Sequence, residues 1–177
     1  MKRTDRAKKV FKILNRIYKK IPVPLNHNNK FELLIAVLLS AQCTDERVNQ
    51  VTPILFKLAN TAQALSKISV SKIYKIIKPC GLGPQKSRAI SKLSKILVKE
   101  YNGKVPESFE DLEKLPGVGH KTASVVMSQG FGHPAFPVDT HIHRLSQRWG
   151  LTKGKNVKET ESDLKKLFPK ENWNKLH

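Results

Sequence analysis

The sequence predicts an all-α fold, and three observations carry that prediction. Apolar residues recur at spacings of three and four along most of the chain. No segment keeps the strict alternation of a half-buried strand. Ser, Thr, Asn and Gly-Pro punctuation divides the chain into periodic pieces joined by loops of about two to eight residues, as helical folds use.

Each element has its own signal. Residues 4–20 place Ala7, Val10, Phe11, Leu14 and Ile17 on one face among Lys and Arg, which predicts an amphipathic helix with a basic outer face. Residues 21–29 hold two prolines and three asparagines and read as a loop. Residues 31–39 are almost all apolar, so a central helix covered on all sides is expected, ending at Ser40-Ala41-Gln42-Cys43. Thr44 is placed as an N-cap with Asp45 and Glu46 in the first turn, opening a helix to about Ala59. The pattern repeats over 66–77 with Ser69 or Ser71 as cap, and stops at Pro79-Cys80-Gly81-Leu82-Gly83-Pro84. Pro84 suits the first position of the next helix, which should run to about Tyr101 and bury Ile90, Leu93, Ile96 and Leu97 before Asn102-Gly103 ends it.

Pro106-Glu107-Ser108 opens a short helix over 109–114, which leads into Leu115-Pro116-Gly117-Val118-Gly119. That stretch is too rich in Gly and Pro for a strand or helix and feeds an apolar helical run directly, so the three pieces form a helix-hairpin-helix. A helix over about 140–149 follows, then Gly154-Lys155-Asn156 and a last amphipathic helix through Leu164 and Leu167.

Composition narrows the partner. The 177 residues make one domain or two small lobes, able to bury about 70% of the unfolded surface. Lys and Arg number 33 against 14 acids, a formal charge of +19. The bland reading is a solvated basic surface, but an excess this large repels itself, and a polyanion such as nucleic acid is the favoured partner. The opening MKRTDRAKK is no signal peptide and no apolar run reaches the roughly 18 residues of a membrane span, so a soluble intracellular protein is expected. Cys43 and Cys80 lie far apart in sequence, without neighbours at metal-ligand spacing, and read as core fillers.

Reactive side chains gather between 115 and 144. Gly117 and Gly119 are expected to take positive φ and expose their amides, and the next helix adds unpaired N–H groups and a positive dipole end, which together suit a phosphate. Lys121 follows at the helix start, where a cation is on the wrong end of the dipole and its charged form is disfavoured. Its plain alternative is a solvated lysine. Asp139 precedes Thr140 as an N-cap. His120 is placed to meet a phosphate, with Lys86, Arg88 and Arg144 as further backbone contacts that would not read sequence. His141 and His143 point about 200° apart on a helix and cannot share a metal.

Leu38-Leu39-Ser40-Ala41-Gln42 with Thr44-Asp45, then Gly81-Leu82, then Leu115 to Thr122 as LPGVGHKT, then Val138-Asp139-Thr140-His141 resemble the endonuclease III family of DNA repair glycosylases, in order and over most of the chain. The resemblance implies a six-helix barrel lobe over 22–133 and a second lobe from 1–21 and 134–177. It implies removal of oxidised pyrimidines from double-stranded DNA and cleavage of the abasic site by β-elimination, by a monomer. A base cut from its sugar must first leave the stack. By resemblance Gln42 fills the gap and Leu82 wedges beside the orphaned base, where otherwise they would read as a helix-end polar residue and a turn-packing residue. Lys121 is the implied nucleophile on the sugar C1′, and Asp139 stabilises the oxocarbenium-like sugar. Gly83-Pro84 departs from the aromatic or larger residue of many relatives.

The family usually carries four cysteines for a [4Fe-4S] cluster, and none follows Trp173-Asn174-Lys175-Leu176-His177 here. No cofactor within the chain is therefore expected, with the cluster expected only if the sequence is a fragment of a longer member. The rival readings are an adenine-type glycosylase of the same superfamily, a non-catalytic helix-hairpin-helix module and a metal-dependent nuclease.

The charge generates a first prediction. Titrating duplex DNA at increasing salt should give a linear fall of log K with log salt, with a slope of about −0.9 for each phosphate neutralised. A binding constant indifferent to salt would assign the charge to another purpose.

Overall fold

The computed structural model describes residues 1–18 and 24–176. Helices and irregular connections make up the described residues, and no strand occurs among them. They divide into two compact units, Val23–Phe131 and the combination of Met1–Pro22 with Gly132–His177.

The larger unit is built around α2, Lys30–Ser40. Asn29 caps it by accepting from the Glu32 amide, and the Glu32 carboxylate accepts in turn from the Asn28 amide at 2.7 Å. This reciprocal arrangement satisfies donors at both sides of the helix start. Residues 31–39 are all buried, as expected of a run without a polar face. α3, Asp45–Leu58, packs against it after Thr44 accepts from the Arg47 amide.

Residues 59–69 hold a five-residue helix that the periodicity did not signal, α4, Ala62–Ser66, capped by Thr61. Ser66 therefore ends one helix instead of opening the next. α5, Val70–Ile77, begins from Ser69, the first of the two expected caps. After a single 3-10 turn at Lys78–Cys80 comes α6, Gly83–Glu100, which packs on α4 and α5. Its first residue is Gly83, one before Pro84. Ile90, Leu93 and Leu97 are buried and Ile96 is partly so. Asn102 and Gly103 close it with positive φ, and the Gly103 amide donates to the Leu97 carbonyl at 2.7 Å.

α7, Phe109–Lys114, starts at the Ser108 cap as read from sequence. α8, His120–Val125, continues into a π-helical turn, Val126–Gly130, that packs on α2.

The smaller unit has its own core of Ala7, Phe136, Val138, Leu151, Leu164 and Phe168. α1, Arg3–Ile17, buries Ala7 and half-buries Phe11 and Leu14. Of the expected loop at 21–29, residues 21–23 lie outside the described residues, and 24–29 are irregular. α9, Thr140–Arg148, and α10, Val157–Leu167, are capped by Asp139 and Asn156. A 3-10 turn and a short α11, Trp173–Leu176, follow, with the Trp173 indole donating to the Phe168 carbonyl at 2.9 Å.

Burial sets a stability contrast. Leu34→Ala, at a fully buried position of α2, should cost about 3–5 kcal/mol in urea denaturation. Leu82→Ala, at a position 46% exposed, should cost less than about 1 kcal/mol.

Candidate nucleic-acid interface

The hairpin between α7 and α8 is anchored by two apolar residues and shaped by one glycine. Leu115 and Val118 are buried, and the Val118 amide donates to the Leu115 carbonyl at 3.1 Å. Gly117 sits between them at φ +78, and a Cβ there would lie 3.0 Å from both Ala89 Cβ and Leu38 Cδ1. Gly119 behaves otherwise. Its φ of −95 and ψ of 178 are extended, so the expectation of positive φ at both glycines is corrected to Gly117 alone. The carbonyl of Gly119 instead points along α8, accepting from the Ala123 amide at 2.9 Å. A Cβ on Gly119 would meet nothing within 4 Å, so its bare backbone faces open space.

α8 starts without a side-chain cap. Its first residue, His120, is exposed, with Nδ1 at 2.8 Å from Glu113 Oε1 and its ring stacked 6.5 Å from Phe109. No sequence motif paired His120 with Glu113. Lys121, the second residue of α8, is exposed.

In the smaller unit Asp139 caps α9, and one carboxylate oxygen, Oδ1, accepts from the His141 amide at 3.0 Å and the Ile142 amide at 2.9 Å. The other, Oδ2, lies 3.9 Å from His141 Nδ1. Buried Phe136 and Val138 hold the approach to this cap in place, while the carboxylate itself is 28% exposed. His143 turns away to Thr160, its Nδ1 2.7 Å from the hydroxyl. Arg144 is exposed on α9.

Two turns of the larger unit carry the remaining residues. Gln42 follows α2 at φ 55 and Leu82 precedes α6 at φ 50, both exposed. With Asn102 they are the described non-glycine residues at positive φ. The turns adjoin, since a Cβ on Gly81 would be 3.8 Å from the Gln42 carbonyl oxygen.

Lys86 is not a phosphate contact. It is 5% exposed, and its ammonium donates to the carbonyls of Leu39 at 2.8 Å, Ala41 at 2.7 Å and Cys80 at 2.9 Å. Burial pulls its pKa below the ordinary lysine value, and the nearby Cys43 and Cys80 oppose that shift. Arg88, two residues on, remains exposed.

Cys43 and Cys80, distant in sequence, meet in space. Burial first, then the Cys43 thiol, pushes the Cys80 thiol up to about 11, so it stays protonated at neutral pH. An iron–sulfur cluster of the four-iron type needs four thiolates. The two cysteines of this sequence cannot supply four and do not fit that group. Among the described residues no three His, Cys, Asp or Glu side chains gather as metal ligands, and no helix is long and apolar enough to cross a membrane.

The HhH-GPD superfamily base excision DNA repair protein family matches residues 35–170. Endonuclease III of Bacillus subtilis (strain 168) is 46% identical over 154 residues, which cover 86% of this chain and 70% of that protein. A solved non-covalent endonuclease III–DNA complex superimposes with a TM-score of 0.95 at 42% identity, over all of this chain and 83% of that one. A trapped covalent intermediate of endonuclease III with DNA, in an estranged-adenine complex, gives the same score and identity over 84% of its chain.

The two glycines should respond differently to one methyl group. Gly117→Ala should lower stability by about 1–3 kcal/mol, through strained backbone and contact with Ala89 and Leu38. Gly119→Ala should leave the melting temperature unchanged within about 2 °C but weaken binding to duplex DNA, because its methyl intrudes only on what approaches from outside. Equal losses of stability would remove the distinction.

Proposed function

This chain belongs to the HhH-GPD superfamily of base excision DNA repair proteins, and on that premise we propose which residues carry its chemistry. It is a DNA glycosylase and abasic-site lyase of the endonuclease III type. Its preferred lesions are oxidised pyrimidines in duplex DNA, and it acts inside the cell as a monomer.

The observation that carries the assignment is Lys121, exposed at the start of α8 two residues past Gly119, whose missing side chain leaves room for a backbone to approach. The phosphates flanking the lesion lie on the hairpin amides around Gly117 and Gly119 and beside His120, with Arg144 meeting the backbone from α9. Gln42 occupies the space vacated by the flipped nucleotide and Leu82 stacks beside the unpaired partner base.

The neutral Lys121 amine attacks C1′ of the deoxyribose. The C1′–N bond breaks and the base departs with the electron pair, taking up a proton. Positive charge grows on the sugar as this happens, and Asp139, held ionised by two amide hydrogen bonds, stabilises it. Ring opening leaves a protonated Schiff base between Nζ and C1′. Loss of a C2′ proton then expels the 3′ phosphate with its bonding electrons, and water releases the enzyme.

Borohydride trapping on a duplex with one thymine glycol tests the roles. Lys121→Gln should abolish the trapped adduct and strand cleavage while DNA binding stays nearly intact, since one of 33 cations is lost. Asp139→Asn can still cap α9 and should slow base release by about 10²–10⁴, with a smaller loss on a preformed abasic site. An adduct surviving Lys121→Gln would move the nucleophile elsewhere. Wild-type protein that binds DNA without cleaving or trapping would leave a non-catalytic binding module.

A further inference from the structure

Lys86 has no part in the chemistry just described, yet it is a buried charge with an unusual partner set. Among the described residues no carboxylate pairs with it. All three of its ammonium donors go to backbone carbonyls. Two of these, Leu39 and Ala41, belong to the C-terminal end of α2, the negative end of that helix dipole. The third, Cys80, closes the 3-10 turn that precedes Leu82. The main-chain amide of Lys86 also donates to the Leu82 carbonyl at 2.9 Å.

One residue thus ties the backbone on the N-terminal side of Gln42 to the backbone on both sides of Leu82. Those two residues hold positive φ without being glycine, a conformation that persists only where surroundings over-determine it. Both are exposed, so side-chain packing does not fix them. Gly81, at φ 66 and ψ 159, gives the second turn a glycine-only hinge that would relax without an external tie.

We propose that Lys86 is a positioning residue, an internal ammonium clamp that sets Gln42 and Leu82 at a fixed mutual spacing for insertion into the DNA stack. The proposal rests on the insertion roles of Gln42 and Leu82 given above. Without the clamp each turn still exists, but the pair no longer presents one rigid double wedge. Lesion recognition, which requires both to enter together, then loses its preorganisation. Electrostatic binding to undamaged duplex, which depends on the surface cations, does not.

The test is a mutant cycle on affinity for two duplexes, one undamaged and one bearing a tetrahydrofuran abasic analogue, measured by fluorescence anisotropy. Lys86→Met should cut the preference for the abasic duplex about tenfold and leave affinity for undamaged duplex within about twofold, a coupling of ordinary size for one network. In a Gln42→Ala/Leu82→Ala background the same substitution should change the preference less than about twofold, since the residues it positions are gone. Equal effects in both backgrounds, or none in the first, overturn the clamp and leave Lys86 a purely structural lysine. If Lys86→Met is not folded at the assay temperature, Lys86→Arg gives the same comparison, because its flat fork keeps the charge but cannot reach three converging carbonyls. A wild-type protein with no preference for the abasic duplex would instead refute the insertion roles themselves.

Discussion

A helix that is apolar on every side persists in water only if it is surrounded, and α2 imposes that condition on the larger unit. Residues 31–39 leave no face for solvent, so α3, α6, α8 and the π-helical turn pack against it. The apolar faces of these helices are consumed by the core. Their ends carry backbone amides and carbonyls that lack intrahelical partners and can meet a ligand. Gln42 follows the end of α2, Leu82 precedes α6, and the hairpin precedes α8, so the candidate interface is a set of helix termini and turns fixed by one buried rod.

The same logic explains why the caps matter beyond stability. Asn29, Thr44, Thr61, Ser69, Ser108 and Asn156 each satisfy a helix-start amide with a neutral side chain. Asp139 makes the same bonds with a carboxylate, whose second oxygen lies 3.9 Å from His141 Nδ1. A carboxylate that caps with one oxygen is oriented by the helix it caps. Gly119 is the counter-case, a cap position with no side chain at all, so no side chain caps α8.

Much of this was legible in the sequence because it is local. Helix starts at Thr44, Ser69, Ser108 and Asp139 follow from residue chemistry over four positions, and the all-apolar run of α2 announces its burial. α4 escaped because five residues are too few to show a period. Gly119 was misread because a glycine required by its own backbone and one left bare for a neighbour look alike in one dimension. Lys86 was misread for a different reason: in a chain of 33 cations, a lysine next to a turn reads as one more surface charge. Its three acceptors come from residues 39, 41 and 80, and the meeting of Cys43 with Cys80 beside it is equally non-local. No spacing rule encodes contacts across forty residues.

That a lysine occupies this place follows from the number and direction of donors needed. A charge buried without compensation is costly, whereas one whose every proton is accepted can be retained. The three carbonyls converge on a single point within 2.7–2.9 Å. Serine or threonine offers one donor there, and asparagine or glutamine two, both in a plane. Arginine has more but spreads them along a flat fork. Only an ammonium directs three donors from one atom in three dimensions. The carbonyls themselves need such a partner, because the bonds of Leu39 and Cys80 to Lys86 are buried and these acceptors would otherwise lack one. The strain in Gln42 and Leu82 and the buried charge of Lys86 are therefore one arrangement: each would be unfavourable alone, and together they close the same set of backbone hydrogen bonds.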